Sequence, residues 1–221
     1  MGDLSSHNNP LRRLWSTAKG HRLILENFLS LGLINVLNSS FHLIIYPILI
    51  RRVGAEAYGT YVYAFSIVAY FTTLVTYGLD MIGTRYLAIS DRDNDTAGKS
   101  DITSRLISSK LYLALLAILI FIPVVLCMES LSPYRSLLWA NFLVVVAYVF
   151  MPGWYYIGIQ STRVYLYIQI ITKVLLALAI IIWVLDATDI TLYALFVSVN
   201  SIVFSTISLA YILRKQGVPL R

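Results

Sequence analysis

Six stretches of this chain are apolar for roughly twenty residues or more, the length an α-helix needs to cross a hydrocarbon layer. They run over 24–50, 57–79, 106–127, 135–157, 164–185 and 190–212. A soluble fold would have to hide all six. With 58% hydrophobic and 13% charged residues, the chain has too little polar surface to cover such a core. Strands are excluded on two grounds: period-two alternation is absent, and open sheet edges cannot lie in lipid. The expected fold class is therefore all-α, a polytopic membrane bundle of about six helices. A tail (1–23) precedes the bundle (24–213), which includes a hydrophilic cytoplasmic loop at 80–105 expected to make a turn and a short surface helix, and a second tail (214–221) follows.

The net charge of +6 does not suggest nucleic acid, because the basic residues are scattered between apolar runs instead of forming a patch with aromatic platforms. Their distribution carries sidedness instead. Arg12, Arg13, Lys19 and Arg22 precede the first run. Arg85, Arg92, Lys99, Arg105 and Lys110 occupy the second connection and its helix edges. Arg163 lies in the fourth connection, and Arg214, Lys215 and Arg221 end the chain. The opposite face has only Arg51, Arg52 and Arg135, so both termini are expected in the cytoplasm. Arg12, Arg13 and Trp15 suit an interfacial anchor, and the run that follows lacks a signal-peptide cleavage site. The single cysteine, Cys127, excludes an intrachain disulfide and a Cys-based zinc site; it is expected to face lipid or core as a small hydrophobe. The sequons at Asn38 and Asn94 fall within a helix and on the cytoplasmic side, so neither is open to glycosylation.

Polar residues share faces of the predicted helices. At 100° per residue, Asn27, Asn35, Asn38 and His42 lie within about 80° of arc on the first. Ser66, Tyr70, Thr73, Tyr77 and Asp80 align on the second, and Asn141, Tyr148, Pro152 and Tyr155 on the fourth. Tyr165, Gln169, Thr172 and Lys173 share a side of the fifth; Ser198, Ser201, Ser205 and Ser208, with Asn200 nearby, mark the sixth. The serines suit close helix packing, Trp139, Trp154, Tyr58 and Tyr61 an interfacial belt, and His42 a hydrogen-bonded packing role. Lys173 stands apart. A charge near mid-depth costs a few kcal/mol even on the gentler scales, and a four-carbon stem cannot carry it to the interface. Glu26 and Asp80 lie near helix ends, so Lys173 is expected to face a wet, anion-accepting lumen or a structural partner that the pattern does not reveal.

The order Asn27, Tyr46-Pro47, Arg52-Val53-Gly54, Tyr58-Gly59 resembles the opening of the polysaccharide-biosynthesis flippases. These are the Wzx-type O-antigen transporters of the multidrug/oligosaccharidyl-lipid/polysaccharide exporter superfamily. Tyr77-Gly78, Gly83-Thr84-Arg85, the block GWYYIGIQ at 153–160 and Lys173 continue the likeness from about Glu26 to Arg214. The sequence departs at Gly153-Trp154, where the family has an acidic residue before Trp, and at Gly158-Ile159-Gln160-Ser161, where it has Gly-Leu-Glu-Lys. Family members are about twice this long, so the chain corresponds to the N-terminal six-helix half. It is expected to be a fragment, a truncated frame, or a lobe that pairs with a second lobe or a second copy.

The resemblance implies translocation of an undecaprenyl-pyrophosphate-linked oligosaccharide (an O-antigen or related lipopolysaccharide unit) across the bacterial inner membrane by alternating access. No cofactor or metal is implied. The expected substrate-binding residues are Lys173, Arg52, Arg51, Arg85, Asn27, Asn35, Asn38, Gln169, Tyr70, Tyr77 and Asn141. One of Arg51 and Arg52 would turn into the cavity mouth to receive the diphosphate, unless both cap a helix C-terminus and face headgroups. Competing functions are an accessory or truncated non-transporting subunit and, further off, a multidrug or small-cation exporter. A glycan polymerase or ligase would need a large extracytoplasmic loop. No catalytic triad, metal-ligand spacing or nucleotide-binding fingerprint marks the chain as an enzyme.

Overall fold

The computed structural model describes the backbone of residues 10–215 and the side chains of residues 29–214. Among the described residues there is no strand, and the all-α expectation holds. The helices are α1 (Pro10–Val53), α2 (Ala55–Thr76), α3 (Leu79–Arg92), α4 (Thr96–Cys127), α5 (Arg135–Phe150), α6 (Gly153–Gly158), α7 (Thr162–Trp183) and α8 (Ile190–Lys215). Two 3₁₀ turns, Glu129–Tyr134 and Ala187–Asp189, precede α5 and α8. Among the described residues, six segments are long and apolar enough to cross a membrane: Leu29–Val53, Ala55–Arg92, Thr96–Cys127, Glu129–Gly158, Thr162–Trp183 and Ala187–Arg214.

The outer surface is apolar, as lipid demands: Leu43, Leu119 and Ile171 are 77%, 70% and 61% exposed. The span containing α5 is the exception, with 56% of its most apolar window buried against 17–28% in the others. Helix α5 is therefore the central post, packed on α2, α4 and α8. The main core is largely aliphatic, with a cluster of phenylalanines within it. Phe121 and Phe142 stack at 3.9 Å, and Phe71 meets both edge-on, the T-shaped geometry that aromatic quadrupoles favour. A second, smaller core at the α3 end joins Leu87, Leu106, Trp154, Tyr155, Tyr156 and Ile212.

Three elements differ from the sequence expectation. The hydrophilic segment 80–105 contains the whole of α3 from Asp80 and the start of α4, broken only at residues 93–95. There Asn94 adopts a left-handed backbone (φ 53°), and the Asp95 side chain caps α4 by accepting from the Gly98 N–H at 2.9 Å. The fourth span is two helices, because Pro152 has no N–H to continue α5. Lys110, expected at a loop edge, lies well inside α4 and is 1% exposed.

Helices α1 and α2 meet at Gly54 (φ 85°), α2 and α3 at Tyr77 and Gly78 (φ 29° and 72°). Both joints use the positive-φ region that glycine enters without steric cost. Tyr77 lacks that freedom, and its N–H is tied to the Thr73 carbonyl at 2.9 Å.

Candidate functional site: a polar chamber inside the bundle

The walls of the site come from five helices. Tyr165, Gln169, Thr172 and Lys173 recur at helical spacing on α7, so one face of that helix presents them together. Asn38, Phe41, His42 and Tyr46 do the same on α1. Tyr58 and Tyr61 of α2, Tyr148 of α5, and Tyr193, Asn200 and Ser201 of α8 complete a cavity of about 600 Å³.

Lys173 is half-buried, its Nζ 4.4 Å from the centre of the Phe41 ring. A cation over an aromatic face is stabilised by roughly 0.5–2 kcal/mol, which offsets only part of its desolvation. Among the described residues no carboxylate pairs with it. Beside it, Gln169 Nε2 donates to Asn38 Oδ1 at 3.0 Å, linking α7 to α1. Gln169 Oε1 is left without a protein partner, although an unmet buried acceptor costs about 1–3 kcal/mol. His42 is held between Phe41 and Tyr46, with centroid separations of 5.8 and 4.7 Å. Tyr46 meets Tyr58 at 5.5 Å, and Tyr61 meets Tyr193 edge-on at 4.8 Å. Such a chamber can accept an anion at one cation and hydroxyl-bearing groups at its amides and phenols.

The structure brings Lys173, Gln169 and Asn38 together there; of the other expected residues whose side chains are described, it brings none. Arg52 donates instead to the α7 carbonyls of Ile181 (2.5 Å) and Val184 (3.2 Å). This is the capping alternative, with α7 as the helix capped. Arg51, Asn35 and Arg85 are exposed outside the cavity, as are Tyr70 (79%) and Tyr77 (75%). Asn141 is fully buried in α5, away from the chamber, with neither amide atom partnered. Asn27 lies outside the residues whose side chains are described. Trp154 and Tyr61, expected in an interfacial belt, are buried. The serines of α8 divide: Ser198 Oγ donates to the Ala140 carbonyl at 2.6 Å, while Ser201 lines the cavity.

Sequence reasoning missed the most buried cation among the described residues. Lys110 Nζ lies 2.5 Å from Asp80 Oδ1 and 3.4 Å from the Tyr148 carbonyl. Asp80 was placed near a helix end and Lys110 at a loop edge, so nothing paired them. The available signal was the Ser108-Ser109 pair before Lys110, a polar step into an otherwise apolar run.

Fold and site together define a helical, multi-pass membrane protein with a polar chamber in its interior. A sequence-family model described as "Polysaccharide biosynthesis protein" matches residues 24–220, and the chain belongs to that family. No curated protein and no solved structure matched the chain.

Proposed function

We propose that the chain takes part in moving a lipid-linked oligosaccharide, carried on undecaprenyl pyrophosphate, across the bacterial inner membrane as a Wzx-type flippase. The sugar-phosphate headgroup would pass through the hydrated interior while the polyprenyl tail stays in lipid. Lys173 is the residue that meets phosphate charge, and Gln169, Asn38 and the tyrosines meet sugar hydroxyls. Both termini face the cytoplasm in this scheme. One observation supports it above the rest: a lysine without an acidic partner among the described residues, inside a cavity lined by amides and phenols, in a member of a polysaccharide-biosynthesis family. A dry packing role would leave no chamber beside the ammonium.

Expression of this chain in a flippase-null bacterium, with surface glycan as readout, tests the proposal. Restoration by the intact chain and its loss in Lys173→Met, at equal membrane abundance, is the expected result. Full export by Lys173→Met overturns the role of Lys173. Failure of the intact chain to restore glycan favours an accessory or half-transporter role, which co-expression with a second six-helix lobe then checks.

A further inference from the structure

We infer that the outer face of α3 is a docking surface for the anionic phospholipids of the surrounding bilayer, held by Arg85 and Arg92. The inward side of α3 is fixed by Gly83 and Leu87 against Leu106 and Trp154. The outward side presents Ile82, Tyr86 and Ile89, each at least half exposed, with Arg85 and Arg92 beside them. Arg85 and Arg92 are seven residues apart, about 10 Å along the axis, and share one edge of that apolar strip. Because α3 runs antiparallel along the start of α4 (Asp80 by Lys110, Gly83 by Leu106, Asp91 by Lys99), this strip leads out of the hydrocarbon, and its cations suit the headgroup layer through which it passes.

Charge pairing separates this face from its neighbour. On α4, Lys99 is paired with Asp91, and Arg105 with Asp101. Arg85 and Arg92 have no ion pair among the described residues. Helix α2, with 22 residues, is about 33 Å long and already spans a hydrocarbon layer of about 30 Å. The elbow at Tyr77 and Gly78 therefore brings α3 to headgroup level, with Tyr77 as an aromatic anchor at the boundary. Phosphodiester anions are abundant there, and each basic side chain near such a surface gains about fivefold in affinity. Arg85 thus receives a bilayer lipid from outside the protein, where it cannot reach the chamber's contents.

The test is native mass spectrometry of the full chain released from nanodiscs of phosphatidylglycerol and phosphatidylcholine. Retained phosphatidylglycerol should exceed phosphatidylcholine for the wild type, and Arg85→Gln/Arg92→Gln should lose most of that preference. Arg105→Gln, whose cation is already paired, should keep it. No preference in the wild type, or full preference in the double variant, overturns the inference. A spin label at Ile82→Cys in a Cys127→Ser background gives an independent readout. Relaxation by oxygen is expected. Relaxation by aqueous nickel chelate alone, or crosslinking of Ile82→Cys to a second copy, would assign the face to water or to a protein and overturn the inference as well.

Discussion

Among the described residues, Lys110 and Lys173 lie inside the bundle, and their surroundings are opposite. Lys110 is sealed at the α3 end, paired with Asp80 beside a small aromatic core. Lys173 sits in the chamber wall with one aromatic ring and open space beside it. The first arrangement neutralises its charge within the protein; the second leaves a charge for something else to neutralise. Burial alone would have ranked them the wrong way round for function, since the more deeply buried cation is the one already satisfied.

The largest expected effect comes from breaking the satisfied pair. Asp80→Asn leaves the Lys110 ammonium buried with only a long contact to a carbonyl, a loss on the order of 3–5 kcal/mol for a removed partner. Yield and thermal unfolding in detergent should both fall sharply. Lys110→Met should cost less, because the Asp80 side chain as a whole is 45% exposed, although the orphaned Oδ1 is buried and keeps the loss above zero. Equal losses in the two variants would mean that the pair is not asymmetric as described. The double variant Asp80→Leu/Lys110→Met should recover most of the stability, since an apolar pair replaces a desolvated ionic one at little cost.

Next is Arg52→Ala, which frees two carbonyls at the α7 C-terminus and removes a cation from the negative end of that helix dipole; about 1–2 kcal/mol of stability should go. Glycan export should survive in proportion to the protein that remains. Export abolished at normal abundance would restore Arg52 to the transport path. Lys173→Met should leave the unfolding temperature unchanged or raise it slightly, because the ring contact offsets only part of the ammonium's desolvation, while export collapses. That dissociation of stability from activity is the sharpest contrast with Lys110. Smallest of all is Asn141→Leu, expected near neutral or slightly stabilising by thermal unfolding, because it removes two polar atoms that have no partner.

Much of this architecture was legible beforehand because lipid imposes one rule on every span: satisfy the backbone internally and face outward with apolar side chains. Apolar length therefore located all six crossings, and the α7 face carrying Gln169 and Lys173 followed from helical spacing. What remained hidden depends on how faces are turned. Asn35 and Asn38 share an arc on α1, yet a rotation of 60° puts Asn38 in the chamber and Asn35 outside. Tyr70 and Asn141 were misplaced for the same reason: periodicity gives a face but not what the face meets. The Asp80–Lys110 pair escaped because its members lie thirty residues apart on helices whose lengths were underestimated.

Gly54 has a further consequence. The long leading rod and the rod after it are articulated at this one residue, and beyond it they meet through the rings of Tyr46 and Tyr58. Rotation about two bonds of a single glycine can swing one wall of the vestibule like a door leaf with no helix unwound, and the Tyr46–Tyr58 contact is the latch that such a swing has to release. Any side chain placed at residue 54 would stiffen that pivot.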